Sequence, residues 1–207
     1  MSNDLNPSAD ERQMRIDLAA CYRLHAELGW TDLVFTHISA RVPGAAHHFL
    51  INPFGLAFDE VTASNLLKID AEGNKVDPSP HQVHRAGFVI HSAVHMTRLD
   101  VGCVIHAHTR SGMALSALQC GLLPLTQHAM MFHGRVAYHE SEGFATDLEE
   151  RQSLAADLAD KPVMILRNHG TLVAGRTVAQ AFSMMWHLER AMQAQMDAMA
   201  SGQPLQM

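Results

Sequence analysis

VIHAHT, residues 104–109, is a short apolar run that carries two histidines two positions apart. Read as a strand, it sends alternate side chains to opposite faces, so His106 and His108 project the same way. Two imidazoles at that spacing can grip one metal ion. Taken alone, an HxH pair is more often an ordinary polar face, so a third ligand has to come from elsewhere in the chain.

The chain has 207 residues, of which 47% are hydrophobic and 17% charged, enough for one globular core and too apolar for disorder. It reads as a single domain over residues 1–207, with its core at about 12–198. The formal net charge of -6 and the lack of a Lys/Arg run argue against nucleic acid or an anionic membrane as partner. No apolar run reaches membrane-span length, and the first ten residues are polar rather than a signal peptide. Cys21, Cys103 and Cys120 lie in apolar patterns without CxxC spacing and read as reduced core thiols of a cytoplasmic protein. Fifteen histidines is a high count, consistent with a metal site among many ordinary roles.

Along the chain, Ser8-x-x-Glu11 predicts a capping box. Met14, Leu18, Cys21, Tyr22 and Leu28 then recur at helical spacing up to Gly29. Residues 33–42 follow, with Thr36, His37, Ser39 and Arg41 as the polar members. Residues 49–51 read as a strand stopped by Asn52 and Pro53, residues 62–65 as a short helix, and residues 67–69 as a strand turned at 72–74 toward another near Val76. A helix is expected over about 81–97, with Phe88, Val89, Val94 and Ile90 as its apolar stripe. His84, His91 and His95 are spaced to share one face of it. The strand around VIHAHT spans 101–108, and a helix over 111–118 comes next. Residues 122–136 read as a loop with Pro124, holding at most a short strand. Thr146-x-x-Glu149 predicts a second capping box opening a helix to about Leu158. Residues 162–166 form a buried strand by their unbroken apolar run, leading through RNHG (167–170) into 171–174. Thr177-x-x-Gln180 predicts a third capping box, before a helix with a Met185, Met192 and Met196 stripe that suits a core or subunit interface. Irregular alternation of strands and helices predicts an α/β fold, a central mixed, mainly antiparallel sheet with helices on its faces.

His169 is the third ligand candidate. It ends a buried strand and precedes a glycine, where a side chain can face a cleft while the backbone turns closely beneath it. Three neutral imidazoles leave a coordination position open, the mark of a catalytic metal. Zinc suits such a site best, with manganese or iron as alternatives.

HAHT (106–109) and RNHG (167–170), each after a buried strand, resemble the signature of the class II aldolase/adducin family. The resemblance extends from about residue 18 to 196. HISARV (37–42), FLINPFGL (49–56), VTASNLLKID (61–70), AGFVIHSA (86–93) and CGLLPL (120–125) resemble its adducin-like branch more than its sugar-phosphate aldolases. The resemblance implies a three-layer α/β/α fold, a four-fold symmetric homotetramer with sites between subunits, and zinc held by His106, His108 and His169. It implies Lewis-acid chemistry that stabilises an enediolate as a carbon–carbon bond breaks.

The resemblance also implies a proton-transferring glutamate on the helix before the HxH strand, but that position is Gly87 here. His91, His95 and His84 are the substitute acid/base candidates, since imidazole titrates near neutrality. The resemblance implies a phosphate-binding Gly-Asn pair in the early loop, which here reads Thr36-His37-Ile38-Ser39, and a serine pair before the glutamate, where Arg85-Ala86 stands. Thr36, Ser39, Arg41 and Arg85 are therefore the substrate-binding candidates, for a carboxylate as readily as for a phosphate. Two functions compete. One is a metal-dependent lyase, aldolase- or decarboxylase-like, acting on a small hydroxy or oxo acid or a sugar derivative. The other is a non-catalytic adducin-like oligomeric module.

Overall fold

The computed structural model describes residues 7–44, 47–143 and 150–207. The Ser8 hydroxyl accepts from the Glu11 N–H at 3.1 Å and starts α1 (Ala9–Glu27). Gly29, at φ +69°, follows its C-cap as expected. Glu11 does not close a capping box: its buried carboxylate pairs with Arg15 and Lys68 at 2.9 and 3.0 Å. Leu28 is exposed rather than part of the apolar face.

Strands β1 (His37–Arg41), β2 (Phe49–Ile51), β3 (Leu67–Ile69), β4 (Cys103–Ala107), β5 (Val136–His139), β6 (Val163–Leu166) and β7 (Gly170–Gly175) form one sheet, ordered β3-β2-β1-β4-β7-β6-β5. All neighbours pair antiparallel except β5 and β6, which are parallel. The mixed, mainly antiparallel sheet agrees with expectation, but β5 begins only at the last residue of the stretch read as a loop with at most a short strand (122–136) and runs on past it, where the sequence predicts no strand. It is a four-residue edge strand with alternate side chains only half-buried, so it carries little apolar signal. A parallel neighbour needs a crossover, supplied by α5 (Glu150–Leu158). The expected capping box at Thr146 and Glu149 lies outside the described residues.

Period-two alternation builds two cores. Ile38, Ala40, Cys103, Ile105, Ile165 and Val173 face α1 and α6 (Val178–Ala200). Val104, Met164, Leu172 and Ala174 face the opposite layer, α2 (Arg85–Thr97) and α5, against Ile90, Val94, Leu154 and Leu158. These faces define the three layers. The odd-numbered polar residues of β1, His37, Ser39 and Arg41, therefore look toward α2, as does His106 of β4. Met185 and Met192 are fully buried beneath the sheet, so the methionine stripe belongs to the core.

Several local expectations change. Residues 62–65 form a turn, not a helix. Asn65 Oδ1 accepts from the Thr62 N–H (2.8 Å) and Thr62 Oγ1 from the Asn65 N–H (3.2 Å), satisfying the backbone without helical bonds. The strand expected near Val76 reduces to a single bridge between Ile69 and Lys75. Helix α2 starts at Arg85, not His81, because the His84 ring caps it: Nδ1 accepts from the Gly87 N–H at 3.0 Å. Within 122–136 a four-residue helix, α4 (Gln127–Met130), is capped by Thr126. Thr177 caps α6, but Gln180 turns to the Arg176 N–H, so that box is half-formed. Cys21 and Cys103 are buried free thiols, whereas Cys120 is exposed.

Candidate metal centre

His106 leaves β4 on the α2 side, His108 lies one residue past its end, and His169 occupies the turn between β6 and β7. The three rings meet with centroids 4.7–4.8 Å apart, and one nitrogen from each lies within 4.8 Å of the others. The turn reaches β4 because Gly170 has no side chain. A β-carbon there would stand 2.6 Å from the Ala107 carbonyl oxygen and 3.0 Å from the His108 ring. Asn168 takes the left-handed backbone (φ +57°) that the turn needs, and Arg167 lies over the Tyr138 ring and donates to the Leu118 carbonyl.

The hydrogen-bond partners set the tautomers. His106 Nδ1 faces the Thr171 carbonyl at 3.0 Å, and His108 Nδ1 faces the Asp32 carboxylate at 2.9 Å. Both partners only accept, so both Nδ1 atoms carry hydrogen. Their Nε2 lone pairs then point at each other across 2.9 Å. Two lone pairs at that distance repel unless a cation or a proton lies between them. Burial and the neighbouring imidazoles hold His106 well below its ordinary range. Burial, helped by His108 and His139, pushes His169 down to about 4. His106 and His169 are thus short of protons at neutral pH, and three imidazole nitrogens with a carboxylate behind one of them fit a divalent metal ion. His108 and His169 are half-buried, which leaves the cluster open on one side.

Behind His108, Thr109 caps α3 (Arg110–Ser116) and donates at 2.7 Å to Glu189, a buried carboxylate of α6. Ser111 donates to its other oxygen, which also accepts from Gln193 at 3.0 Å. Glu189 thereby anchors the end of the HxH strand to the opposite layer.

The structure brings some candidate residues to this cluster and not others. Thr36 is buried, with its hydroxyl sealed and unpartnered and a left-handed backbone (φ +67°). His84 is half-buried at the head of α2, its ring 5.4 Å from that of His37 and 4.7 Å from that of Phe54. His91 and His95 are sealed behind His37 and share the Ser39 hydroxyl at 2.5 and 2.7 Å, and Ser39 is itself buried there, out of a ligand's reach. Burial holds both histidines low, His95 at about 3, which does not suit an acid or base at neutral pH. Arg41, at the far end of β1, donates to the carbonyls of His95, Arg98 and Val101 and does not reach the cluster. Arg85 is exposed at the first residue of α2. Asp32, His37 and Glu189 are the residues sequence reasoning missed. For His37 a signal existed, since polar residues alternating through an otherwise apolar strand mark a buried polar face. Nothing local marks Asp32 or Glu189.

A three-layer sheet domain with an open three-histidine cluster at one strand end defines the class. The chain belongs to the family described as the class II aldolase and adducin N-terminal domain, whose model matches residues 16–196. An aldolase II superfamily protein from Pseudomonas syringae superposes with a TM-score of 0.92 at 54% identity, covering 94% of this chain and 79% of that one. L-fuculose 1-phosphate aldolase from Glaciozyma antarctica superposes with a TM-score of 0.88 at 33% identity, covering 100% and 81%. Alpha-adducin of Rattus norvegicus is 43% identical over 92% of this chain, which spans 26% of adducin's length.

Proposed function

We propose that the chain is a metal-dependent carbon–carbon lyase of the aldolase or decarboxylase type. Its substrate would be a small hydroxy or oxo acid or a sugar derivative. The observation that carries this reading is the pair of Nε2 lone pairs of His106 and His108 facing each other at 2.9 Å, with His169 beside them. His106, His108 and His169 would hold a divalent ion, zinc first and manganese or iron as alternatives. Such an ion supplies Lewis acidity toward a carbonyl or hydroxyl oxygen next to the bond that breaks. Asp32 orients His108, and the Thr171 carbonyl orients His106. His84 presents its remaining ring nitrogen near the opening, as a hydrogen-bond donor when neutral, because Nδ1 already accepts from Gly87. The resemblance to L-fuculose 1-phosphate aldolase supports the reaction class. We further infer a homotetramer in the cytoplasm; no helix among the described residues is long and apolar enough to cross a membrane.

A second reading, an adducin-like oligomeric module without turnover, draws on the identity with alpha-adducin and on the glycine at position 87. Metal analysis separates the two. The lyase reading expects about one divalent ion per chain in purified or reconstituted protein. It also expects turnover of at least one member of a panel of hydroxy acids, oxo acids and sugar phosphates, abolished in His106→Ala. Failure to take up any divalent metal, or equal turnover in the variant, sinks it.

A further inference from the structure

At the β3 edge of the sheet, a cavity of about 680 Å³ opens between the first half of α1, the turn at 62–65 and the Pro78-Ser79-Pro80 stretch. It shares no lining residue with the histidine cluster. β3 supplies Leu67 and Lys68 to its wall, and β2 and β1 stand between β3 and β4, so about 14 Å of sheet separates the cavity from the HxH strand. The volume lies in the range of small-molecule sites and is larger than an inorganic ion needs.

The chain as a whole carries a formal charge of -6, but cations face this cavity. Arg12, Arg15 and Lys68 line it, and Asp77 is the acidic residue that lines it among the described residues. Glu11 lies behind Arg15 and Lys68, bonded to them at 2.9 and 3.0 Å. Burial would raise the Glu11 carboxyl, but those two cations outweigh it and hold it below its ordinary range, so Glu11 is an anion. Three cations therefore meet two carboxylates. Asp77 is a loose partner: its side chain is 41% exposed and lies 3.5 Å from Arg15 and 3.9 Å from Lys68, longer than a well-formed hydrogen bond. Arg15 is fully engaged, with Nε and Nη2 on Glu11 and Nη1 on the Leu66 carbonyl. Lys68 is not. An ammonium has three donors, and its one well-formed bond goes to Glu11. Arg12 donates from Nη1 to the Pro7 carbonyl at 2.8 Å and from no other nitrogen among the described residues. The donors left over at this cavity thus belong to Lys68 and Arg12.

We propose that this cavity is a second ligand site, which takes a small organic anion. The carboxylate or phosphate group of that ligand sits between Lys68 and Arg12, where it replaces the Asp77 carboxylate, and its body lies against Ile16, Leu67 and Pro80. Glu11 and Arg15 are positioning residues: Glu11 holds the Lys68 ammonium at the wall, and Arg15 ties α1 to the Leu66 carbonyl. The site needs no metal and stands whether or not the lyase reading does.

The test is calorimetric titration of the chelator-treated full-length protein with three probes on one phenyl body: benzoate, phenyl phosphate and the neutral benzamide. At least one of the two anions should bind at about one per chain, and about tenfold more tightly than benzamide, the effect of one charge-assisted hydrogen bond. The tighter of the two assigns the site to carboxylic acids or to phosphate esters. Arg12→Ala should weaken that anion about tenfold. Asp77→Asn should tighten it, because the competing carboxylate is gone, and damage to the fold would not produce a gain. Both side chains reach solvent, so neither variant threatens folding. Arg135→Ala, which removes an exposed cation outside the cavity, should leave the affinity as it is. Equal affinity for benzamide and the anions, no saturable binding of either anion by about 10 mM, or an affinity unmoved by Arg12→Ala and Asp77→Asn overturns the site. An equal loss in Arg135→Ala overturns it as well, since that marks a general effect of charge.

Discussion

At the scale of the residue, the cluster depends on groups that fix imidazole tautomers. Asp32 holds a hydrogen on His108 Nδ1 and so leaves Nε2 free for a metal. Replacing Asp32 by Ala should weaken zinc binding roughly 10–100-fold, the usual effect of removing a carboxylate behind a ligand histidine. Competition with a chromogenic chelator measures it, and unchanged affinity would remove Asp32 from the site. Gly170 acts through space. In Gly170→Ala the new methyl would meet the Ala107 carbonyl oxygen at 2.6 Å. The turn carrying His169 must then shift, at a cost of about 1–3 kcal/mol. Chemical denaturation of the metal-free variant gives the value, and a change under about 0.5 kcal/mol would mean that the turn relaxes freely.

At the scale of the element, β1 explains why α2 carries so many histidines. The strand turns His37 and Ser39 toward the helix, and His91 and His95, one helical turn apart, meet them there. The three α2 histidines therefore split by depth: His84 caps the helix near the opening, while the other two form the supporting layer. On the opposite face, Glu189 of α6 collects the Thr109 and Ser111 hydroxyls and so fixes the junction of β4 and α3. Glu189→Ala leaves those hydroxyls, at most 7% exposed, without their acceptor. It should cost about 1–3 kcal/mol of stability. Glu189→Gln, which keeps one acceptor oxygen, should cost less. Equal losses in the two variants would show that side-chain volume, not hydrogen bonding, matters there.

At the scale of the whole molecule, the number of buried neutral histidines gives the fold an acid limit. His25, held among Trp30, Phe58 and Phe182, is pushed down to about 4 by burial. His169 lies at about 4 and His95 at about 3, with His37, His91 and His106 well below their ordinary range. The unfolded chain takes up these protons near pH 6.5, and the folded chain only well below it. Stability of the metal-free protein is therefore intact above about pH 6.5 and falls as the pH drops toward 4. Thermal melts across pH 4 to 8 should show that descent, and His25→Leu should make it shallower. A melting temperature flat from pH 7 to 4 would contradict the neutral assignment.

The chain by itself determined the sheet-and-helix class, most of the strands and both segments of the candidate metal site. Period-two apolar runs, N-cap residues and glycines after helices and turns are local signals that survive without tertiary context. HxH on a strand is legible for the same reason, because alternation alone puts His106 and His108 on one face. Only the tertiary structure decided which polar groups stand behind those ligands. Asp32 and Glu189 reach the site across 76 and 80 residues of sequence, and no periodicity encodes a contact between distant segments. The order of depth among the histidines is tertiary as well. His91 and His95 share one helical face with no local mark of burial, and they become supports once β1 lays His37 over Gly87. β5 escaped because a four-residue edge strand with only alternate side chains buried is specified by its neighbour β6 more than by its own pattern.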